Sequence, residues 1–169
     1  VVVSVLQCFS PVADAKARVL ILGSMPGKAS LAAQEYYAYP QNAFWKIISE
    51  LLLNDPRKSY AHKIEALISN RIALWDVMQS CTRETSLDSD ILEDSIVPND
   101  FQSFFDSHPR IDRVFFNGAK AEHSFRKYVL PNLGESNARM TCLRLPSTSP
   151  AHAGMKYSDK LDAWRIILS

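Results

Sequence analysis

Apolar and polar positions follow two periods along this chain, and the switches between them divide it into short elements. Val19-Leu20-Ile21-Leu22 is an unbroken apolar run that stops at Gly23-Ser24-Met25-Pro26-Gly27. A run of that kind, closed by a Gly/Pro turn, predicts a strand buried on both faces, here over residues 18–22. Phe44, Ile47, Ile48, Leu51 and Leu52 fall at helical spacing and predict a helix over 44–53. Ser59 is placed to cap a second helix whose apolar face holds Ile64, Leu67 and Ile68. Residues 71–77 read as a strand and the polar stretch 79–90 as a loop. Asn99 would cap a short helix through Asp106, ended by Pro109. Residues 112–116 form a third strand closed by Asn117-Gly118, and a helix follows over 119–130. A fourth strand spans 140–145, and Ser158 would cap a terminal helix carrying Leu161, Trp164, Ile167 and Leu168.

Strands that alternate with helices lie parallel, with helices on both faces of the sheet. The expected architecture is therefore α/β: a three-layer α/β/α sandwich around a central, mostly parallel four-stranded sheet. No repeat, low-complexity run or linker divides the chain, so residues 1–169 read as a single domain. The opening Val1-Val2-Val3-Ser4-Val5-Leu6 is too short for a membrane span and has no basic flank, which suggests a packed terminal segment. With no secretion signal visible, the cytoplasm is the expected location.

Composition changes this picture little. Hydrophobic residues make up 47% and charged residues 22%, and the net charge is +1. These values suit a globular protein and neither favour nor oppose nucleic acid, so any DNA face must be local. Cys8, Cys81 and Cys142 lack CxxC spacing and read as free thiols of a reducing compartment.

Candidate chemistry gathers at two strand ends. The 23–27 turn follows strand one, and Tyr36, Tyr37, Tyr39 and then Pro40-Gln41-Asn42-Ala43-Phe44-Trp45 come after it. Strand four ends in a similar small, hydroxyl-rich loop, Leu145-Pro146-Ser147-Thr148-Ser149-Pro150-Ala151-His152. Loops at the carboxyl edge of an open α/β sheet are where such folds bind ligands. A single turn of this kind occurs in many folds; the pair favours a pocket. No GK[ST], GxGxxG or GxSxG follows a strand, which excludes a Walker loop, a dinucleotide fingerprint and a hydrolase elbow. Three tyrosines within four residues cannot all be buried, so at least one is exposed. On residue type alone, Asn42 serves as a helix cap or as a catalytic amide, and Asn117 as a strand-end cap or a reader of a base edge.

These motifs resemble the uracil-DNA glycosylase superfamily, and within it the sixth family, the hypoxanthine-DNA (deoxyinosine) glycosylases. Residues 23–45 lie without gaps on the mismatch-specific pattern, in which a Gly-x-Asn-Pro-Gly turn leads to an aromatic and then Pro-x-Asn-x-Phe-Trp. Trp75-Asp76-Val77, Phe116-Asn117-Gly118 and the final helix extend the likeness. One departure is sharp: the third turn position, a catalytic asparagine in the mismatch-specific relatives, is Met25. The resemblance moves that role to Asn42, with His152 as a second candidate beside the leaving base.

It further implies a base pocket from Gly23, Ser24, Met25, Tyr37 and Asn117, with Tyr37 stacking on a flipped base. DNA contacts would come from Pro26, Gly27, Lys28, Ser30, Pro146, Ser147, Thr148 and Ser149. Relatives carry His or Asn where the second loop starts; this chain has Leu145. Asp76, Arg83 and Asp88 match family positions and read as structural ion pairs. Branches of the superfamily that hold an iron–sulfur cluster need four cysteine ligands, more than the three present, so no such cluster and no cofactor is expected.

The implied activity is monofunctional excision of a deaminated base, hypoxanthine foremost, uracil or xanthine beside it, from damaged double- or single-stranded DNA by a monomer. The rivals are a uracil-specific mismatch glycosylase, a non-catalytic nucleotide- or DNA-binding module of the same fold, and an unrelated α/β hydrolase, which the missing Ser–His–Asp pattern disfavours. Two geometric expectations follow. Strands one and four should end side by side, and Lys28, Arg144 and Lys156 should gather on the face they form.

Overall fold

The computed structural model describes residues 4–169. In chain order its regular elements are β1 (Val5–Gln7), β2 (Val19–Gly23), α1 (Lys28–Ala33), α2 (Phe44–Ile48), α3 (Tyr60–Ser69), β3 (Ile72–Asp76), β4 (Met78–Thr82), β5 (Val97–Pro98), α4 (Phe101–Ser107), β6 (Arg113–Asn117), α5 (Ala119–Ser124), β7 (Thr141–Leu145) and α6 (Tyr157–Trp164). Four strands form one sheet in the order β3-β2-β6-β7, every neighbouring pair parallel. A second, antiparallel sheet joins β1, β4 and β5. The expected parallel four-stranded sheet is present, and the small sheet is an addition to it.

Side-chain alternation divides the core into two layers. Leu20, Leu22, Ala73, Trp75, Val114 and Phe116 pack on one face of the sheet against Phe101, Phe104 and Phe105 of α4 and Phe125 beyond α5. Val19, Ile21, Ile72, Leu74 and Phe115 pack on the other against Phe44, Ile47 and Ile48 of α2, Leu67 of α3 and Trp164 of α6. Because β2 is central, both of its faces are buried, which explains why its apolar run has no polar alternation. The β3 edge is blunted by Val12, which exchanges two 2.9 Å backbone hydrogen bonds with Leu74.

Three local expectations are corrected. The stretch 79–90 is not all loop: β4 takes its first part, pairing Leu6 with Cys81 and Val5 with Thr82. Its own sequence is half polar because the strand is half exposed, and its partner lies about 75 residues earlier, so no local pattern announces it. Asp100, not Asn99, caps α4, its carboxylate accepting the Ser103 N–H at 3.1 Å. Lys156 occupies the cap position of α6, which leaves Ser158 inside the first turn. The helices expected over 44–53 and 119–130 each relax into a π-turn, at Ser49–Leu53 and Phe125–Val129. Among the described residues no helix is long and apolar enough to cross a membrane. The predicted packing of the terminal segment is met in part, since Val5–Gln7 pairs in a sheet; residues 1–3 lie outside the described residues.

Ser59 does cap α3, its Oγ accepting the His62 N–H at 3.3 Å. Ser59→Ala should lower stability by about 1 kcal/mol, roughly 2–4 °C in a chain of this size, by thermal melting.

Candidate functional site

The carboxyl ends of the parallel strands set the site. Gly23 at the end of β2 is in register with Asp76 of β3, and Asn117 of β6 with Leu145 of β7. β6 lies between β2 and β7, so strands one and four do not end side by side. Their loops nonetheless line one cleft of about 890 Å³, which also takes in Tyr37, Asn42, Asp76 and Asn117. That volume falls in the range of small-molecule sites.

Asn117 binds the two loops to the sheet. Its Nδ2 donates to the Tyr37 hydroxyl at 3.0 Å and to Thr148 Oγ1 at 2.9 Å, and its Oδ1 accepts the Thr148 N–H at 2.9 Å. Both donors are thus used within the protein, which makes Asn117 a clamp at the strand end. That is nearer to the cap than to the base-edge reader between which its residue type left the choice, and not the free base contact the family resemblance implied. The following residue, Gly118, has φ +94°, and a Cβ there would come within 3.1 Å of the Ser147 Cβ. Only glycine brings the loops this close.

The three tyrosines separate by burial. Tyr36 is buried, its hydroxyl donating to the Ser10 carbonyl at 2.8 Å. Tyr39 is exposed at 47%. Tyr37 lies between them, with φ +53°, and its ring stacks on Phe44 with centroids 4.0 Å apart.

Asn42 sits on the cleft wall just before α2. Its Oδ1 accepts the Phe44 N–H at 2.9 Å, and its own N–H donates to the Tyr39 carbonyl at 3.0 Å. Ala43 takes the N-cap position of α2, so Asn42 is not the cap its residue type allowed; it stands one residue earlier and braces the start of the helix as an Asx turn from the cleft wall. The next residue, Ala43, donates its N–H to the Thr148 carbonyl at 3.0 Å, tying the start of α2 to the second loop.

The first loop is mostly interior. Met25 is buried with Met78, Cys81 and Ile91, and Ser24 Oγ donates to Asp88 Oδ1 at 2.6 Å. Pro26 is buried, and its carbonyl accepts from Arg83 Nη2 at 2.6 Å. Gly27 precedes α1, and the Lys28 N–H donates to Ser86 Oγ at 3.0 Å. Ser30 is 5% exposed, with Oγ accepting the Ala38 N–H at 3.1 Å. It braces the tyrosine segment, which replaces the phosphate contact expected of it.

In the second loop Thr148 is buried, while Ser147 and Ser149 use their hydroxyls to accept the Ser149 and Ala151 N–H groups, each at 3.2 Å. Pro146 stands away from the lining, its carbonyl held by Trp164 Nε1 at 2.9 Å. His152 is exposed on the rim. The expected cationic face does not assemble: Lys28 lines the cleft, but Arg144 pairs with Glu122 at 3.5 Å beside a neighbouring groove, and Lys156 is not among the lining residues.

Sequence reasoning missed Asp76. Asp76, Arg83 and Asp88 form no ion pair among the described residues. Arg83 is held by the Pro26 and Thr85 carbonyls, Asp88 by Ser24, and Asp76 is buried with Oδ2 lacking any hydrogen-bond partner. Desolvation, then the nearby Asp88 charge, push its pKa up to about 7, with Arg83 opposing. The signal available in sequence was its place at a strand end, directly after Trp75.

The model of the uracil DNA glycosylase superfamily matches residues 10–167. The chain belongs to this superfamily. It is 38% identical over 116 residues to the hypoxanthine DNA glycosylase of Methanosarcina barkeri, covering 68% of this chain and 72% of that one. To the hypoxanthine DNA glycosylase of Methanosarcina acetivorans it is 34% identical over 142 residues, 79% and 89% of the two chains. Among solved structures, a candidate uracil DNA glycosylase from M. acetivorans, determined by NMR in solution, superposes with a TM-score of 0.77 at 30% identity, covering 98% of this chain and 97% of that one.

For this superfamily member, Gly23 has a steric duty. A Cβ there would stand 2.5 Å from Asp76 Oδ1 and 2.8 Å from the Tyr37 hydroxyl. The raised Asp76 pKa sets a direction for stability. Between its ordinary value of 3.8 and about 7 the folded chain holds a proton that the unfolded chain has lost. Stability therefore falls as pH rises through that window and is flat above it. Asp76→Asn removes the buried charge and should raise the melting temperature more at about pH 8 than at about pH 4.5, the difference corresponding to as much as about 3 kcal/mol. Equal shifts at both pH values would show that Asp76 titrates like an exposed carboxylate.

Proposed function

We propose that this chain is a monofunctional DNA glycosylase that flips a deaminated base, hypoxanthine first, out of DNA and hydrolyses its N-glycosidic bond. One observation carries the reading: the two strand-end loops, Tyr37 and the Asn42 amide line a single cleft at the carboxyl edge of the sheet. Both named relatives act on hypoxanthine by their names, and the chain covers most of each.

The chemistry suits a neutral amide. Breaking the bond leaves positive charge on the sugar and negative charge on the departing base, as in other glycoside hydrolyses. Asn42 Oδ1 has a second lone pair beyond the one facing the Phe44 N–H, and that lone pair orients water toward C1′. Its Nδ2 donates to the leaving base. Dipoles fixed in advance in this way stabilise a transition state by a few kcal/mol each. Tyr37, backed by Phe44, offers the ring against which the flipped base stacks, an interaction worth about 1–3 kcal/mol. His152 remains a second candidate at the rim. Flipping itself costs a few kcal/mol and least at a mismatched pair, which favours lesions.

Asn42→Asp is the cleaner test because it keeps the acceptor for the Phe44 N–H and loses the N–H donor. Its melting temperature should stay near that of the parent. Its single-turnover excision from a deoxyinosine duplex should fall on the order of 10²-fold. Asn42→Ala should lose more rate and about 1 kcal/mol of stability as well. A full rate per folded molecule in Asn42→Asp would leave Asn42 only a brace at the start of α2. Duplexes carrying deoxyuridine or deoxyxanthosine, assayed in parallel, separate the hypoxanthine reading from a uracil-specific one, and release of no base at all would leave a binding module.

Among the described residues that line the cleft, Lys28 is the lysine or arginine that would stand beside DNA. Affinity should therefore weaken only gently with salt, and Lys28→Ala should reduce the log–log salt slope by about one. A slope unchanged in that variant would take Lys28 off the phosphate path.

A further inference from the structure

The cleft floor holds one polar group that the mechanism above leaves without a task. Asp76 closes β3 at the level of Gly23, lines the cleft and is buried, yet its Oδ2 has no hydrogen-bond partner. Buried polar atoms are almost always satisfied, so an orphan at a strand end facing a cleft calls for an external partner. Its position is held from behind: the Asp76 carbonyl accepts Asn99 Nδ2 at 2.8 Å, and the bare Cα of Gly23 leaves room for Oδ1.

The surroundings determine which form the carboxyl takes. From the short 3₁₀ turn after β4 comes Asp88, and from the segment between them comes Arg83, whose guanidinium is engaged by backbone carbonyls. From the tyrosine segment come the Tyr37 and Tyr36 hydroxyls, and from the end of β1 the Cys8 thiol. All of these except Arg83 are neutral or negative. Burial and Asp88 together hold the proton on Asp76 to near neutrality, against Arg83.

We propose that Asp76 receives the flipped base as a carboxylic acid, donating a hydrogen bond to the exocyclic oxygen that deamination introduces. This inference rests on the deaminated-base reading and names the group that recognises the lesion. Deamination replaces an exocyclic amino donor by an oxo acceptor. A protonated carboxyl matches the oxo group. An ionised carboxylate would repel its lone pairs and favour the amino group of the undamaged base, so the retained proton is what points the site toward lesions. The same bond assists departure. As C1′–N breaks, its electron pair passes to the base and negative charge spreads onto the exocyclic oxygen, where a neutral donor stabilises it. Water supplies hydroxide to C1′ and a proton to the base, and Asp76 keeps its own.

Single-turnover excision from a deoxyinosine duplex between about pH 5.5 and about pH 9, with melting curves alongside, tests this. The parent rate should fall about tenfold per pH unit above neutrality as Asp76 ionises. Asp76→Asn retains an N–H donor without a titrating proton, so its alkaline decline should vanish. Asp76→Ala should be slow throughout, on the order of 10²-fold at acidic pH. A parent enzyme that excises hypoxanthine with no alkaline decline, or an Asp76→Asn enzyme that keeps it, overturns the inference while the deaminated-base reading stands. A purely structural role would shift melting temperatures and leave the decline in place in both proteins, and that result overturns the inference too. Release of no base by the parent enzyme removes the reading and this inference together.

Discussion

The site depends on the amide of Asn117. From the end of a central strand it reaches Tyr37 in one loop and Thr148 in the other, using both N–H groups and its carbonyl. Thr148 passes the constraint on, since its own carbonyl takes the Ala43 N–H at the start of α2. Asn42, whose Oδ1 accepts the Phe44 N–H, is therefore fixed relative to the sheet through three hydrogen-bonded steps and not by its own loop alone. A catalytic amide must be held to a fraction of an ångström to be useful. Here the holding group is a second amide distant in sequence, and the cost of removing it would appear at every residue of the cleft.

Opposed to that ordered network is the unpaired carboxyl of Asp76. Burying a carboxyl with no donor is unfavourable, and the chain accepts a raised pKa and a stability that declines toward neutral pH. Gly23 shows that the arrangement is accommodated: any side chain at the end of β2 would collide with Asp76 Oδ1 and the Tyr37 hydroxyl. Local strain or unsatisfied polarity of this kind tends to sit where function needs it. Among the described residues, the other buried side-chain atoms without a partner are hydroxyl, guanidinium and amide atoms at Ser49, Arg83, Ser124 and Asn137; Asp76 supplies the carboxylate among them, and it lines the cleft where a ligand would enter.

Elements whose stability is local were legible in the sequence. The β2 run is apolar throughout because both faces are covered, and the Ser59 cap is a contact over three residues. β4 escaped because its partner strand is distant and its outer face polar, and the α6 cap because the cap position falls two residues before Ser158, at a lysine whose side chain makes no capping bond. For the site, the residue types of the two loops identified the cleft correctly, yet they did not determine which polar groups face it. Asn117 and Ser30 have the right chemistry for a ligand and are turned inward to bind backbone and side chains of the loops. In sequence Asp76 reads as half of an ion pair, because Arg83 and Asp88 lie nearby. In the fold, Arg83 is captured by two carbonyls and Asp88 by a hydroxyl, which leaves Asp76 alone. Which of several candidate partners a polar side chain takes is a tertiary outcome, and no spacing rule contains it.

A site built from a neutral amide and a proton-retaining acid has a selectivity that shape alone would not provide. The cleft is roomy, about 890 Å³, and a roomy pocket rejects isosteric bases poorly. Neither group is a strong base, so neither forces a poor leaving group out. The barrier is then governed by how well the departing base carries negative charge and by whether it offers an acceptor where the site offers a donor. Hypoxanthine meets both conditions and adenine neither, although the two differ only in the exocyclic group at position 6 and the proton on the neighbouring ring nitrogen. Discrimination of this kind leaves a buried donor unmatched when the wrong base enters, a penalty larger than the removal of a methylene from a hydrophobic contact. A nearly neutral protein whose described cleft residues offer Lys28 as their lysine or arginine gains little from the phosphate backbone. The base itself must therefore supply the difference between damaged and undamaged DNA.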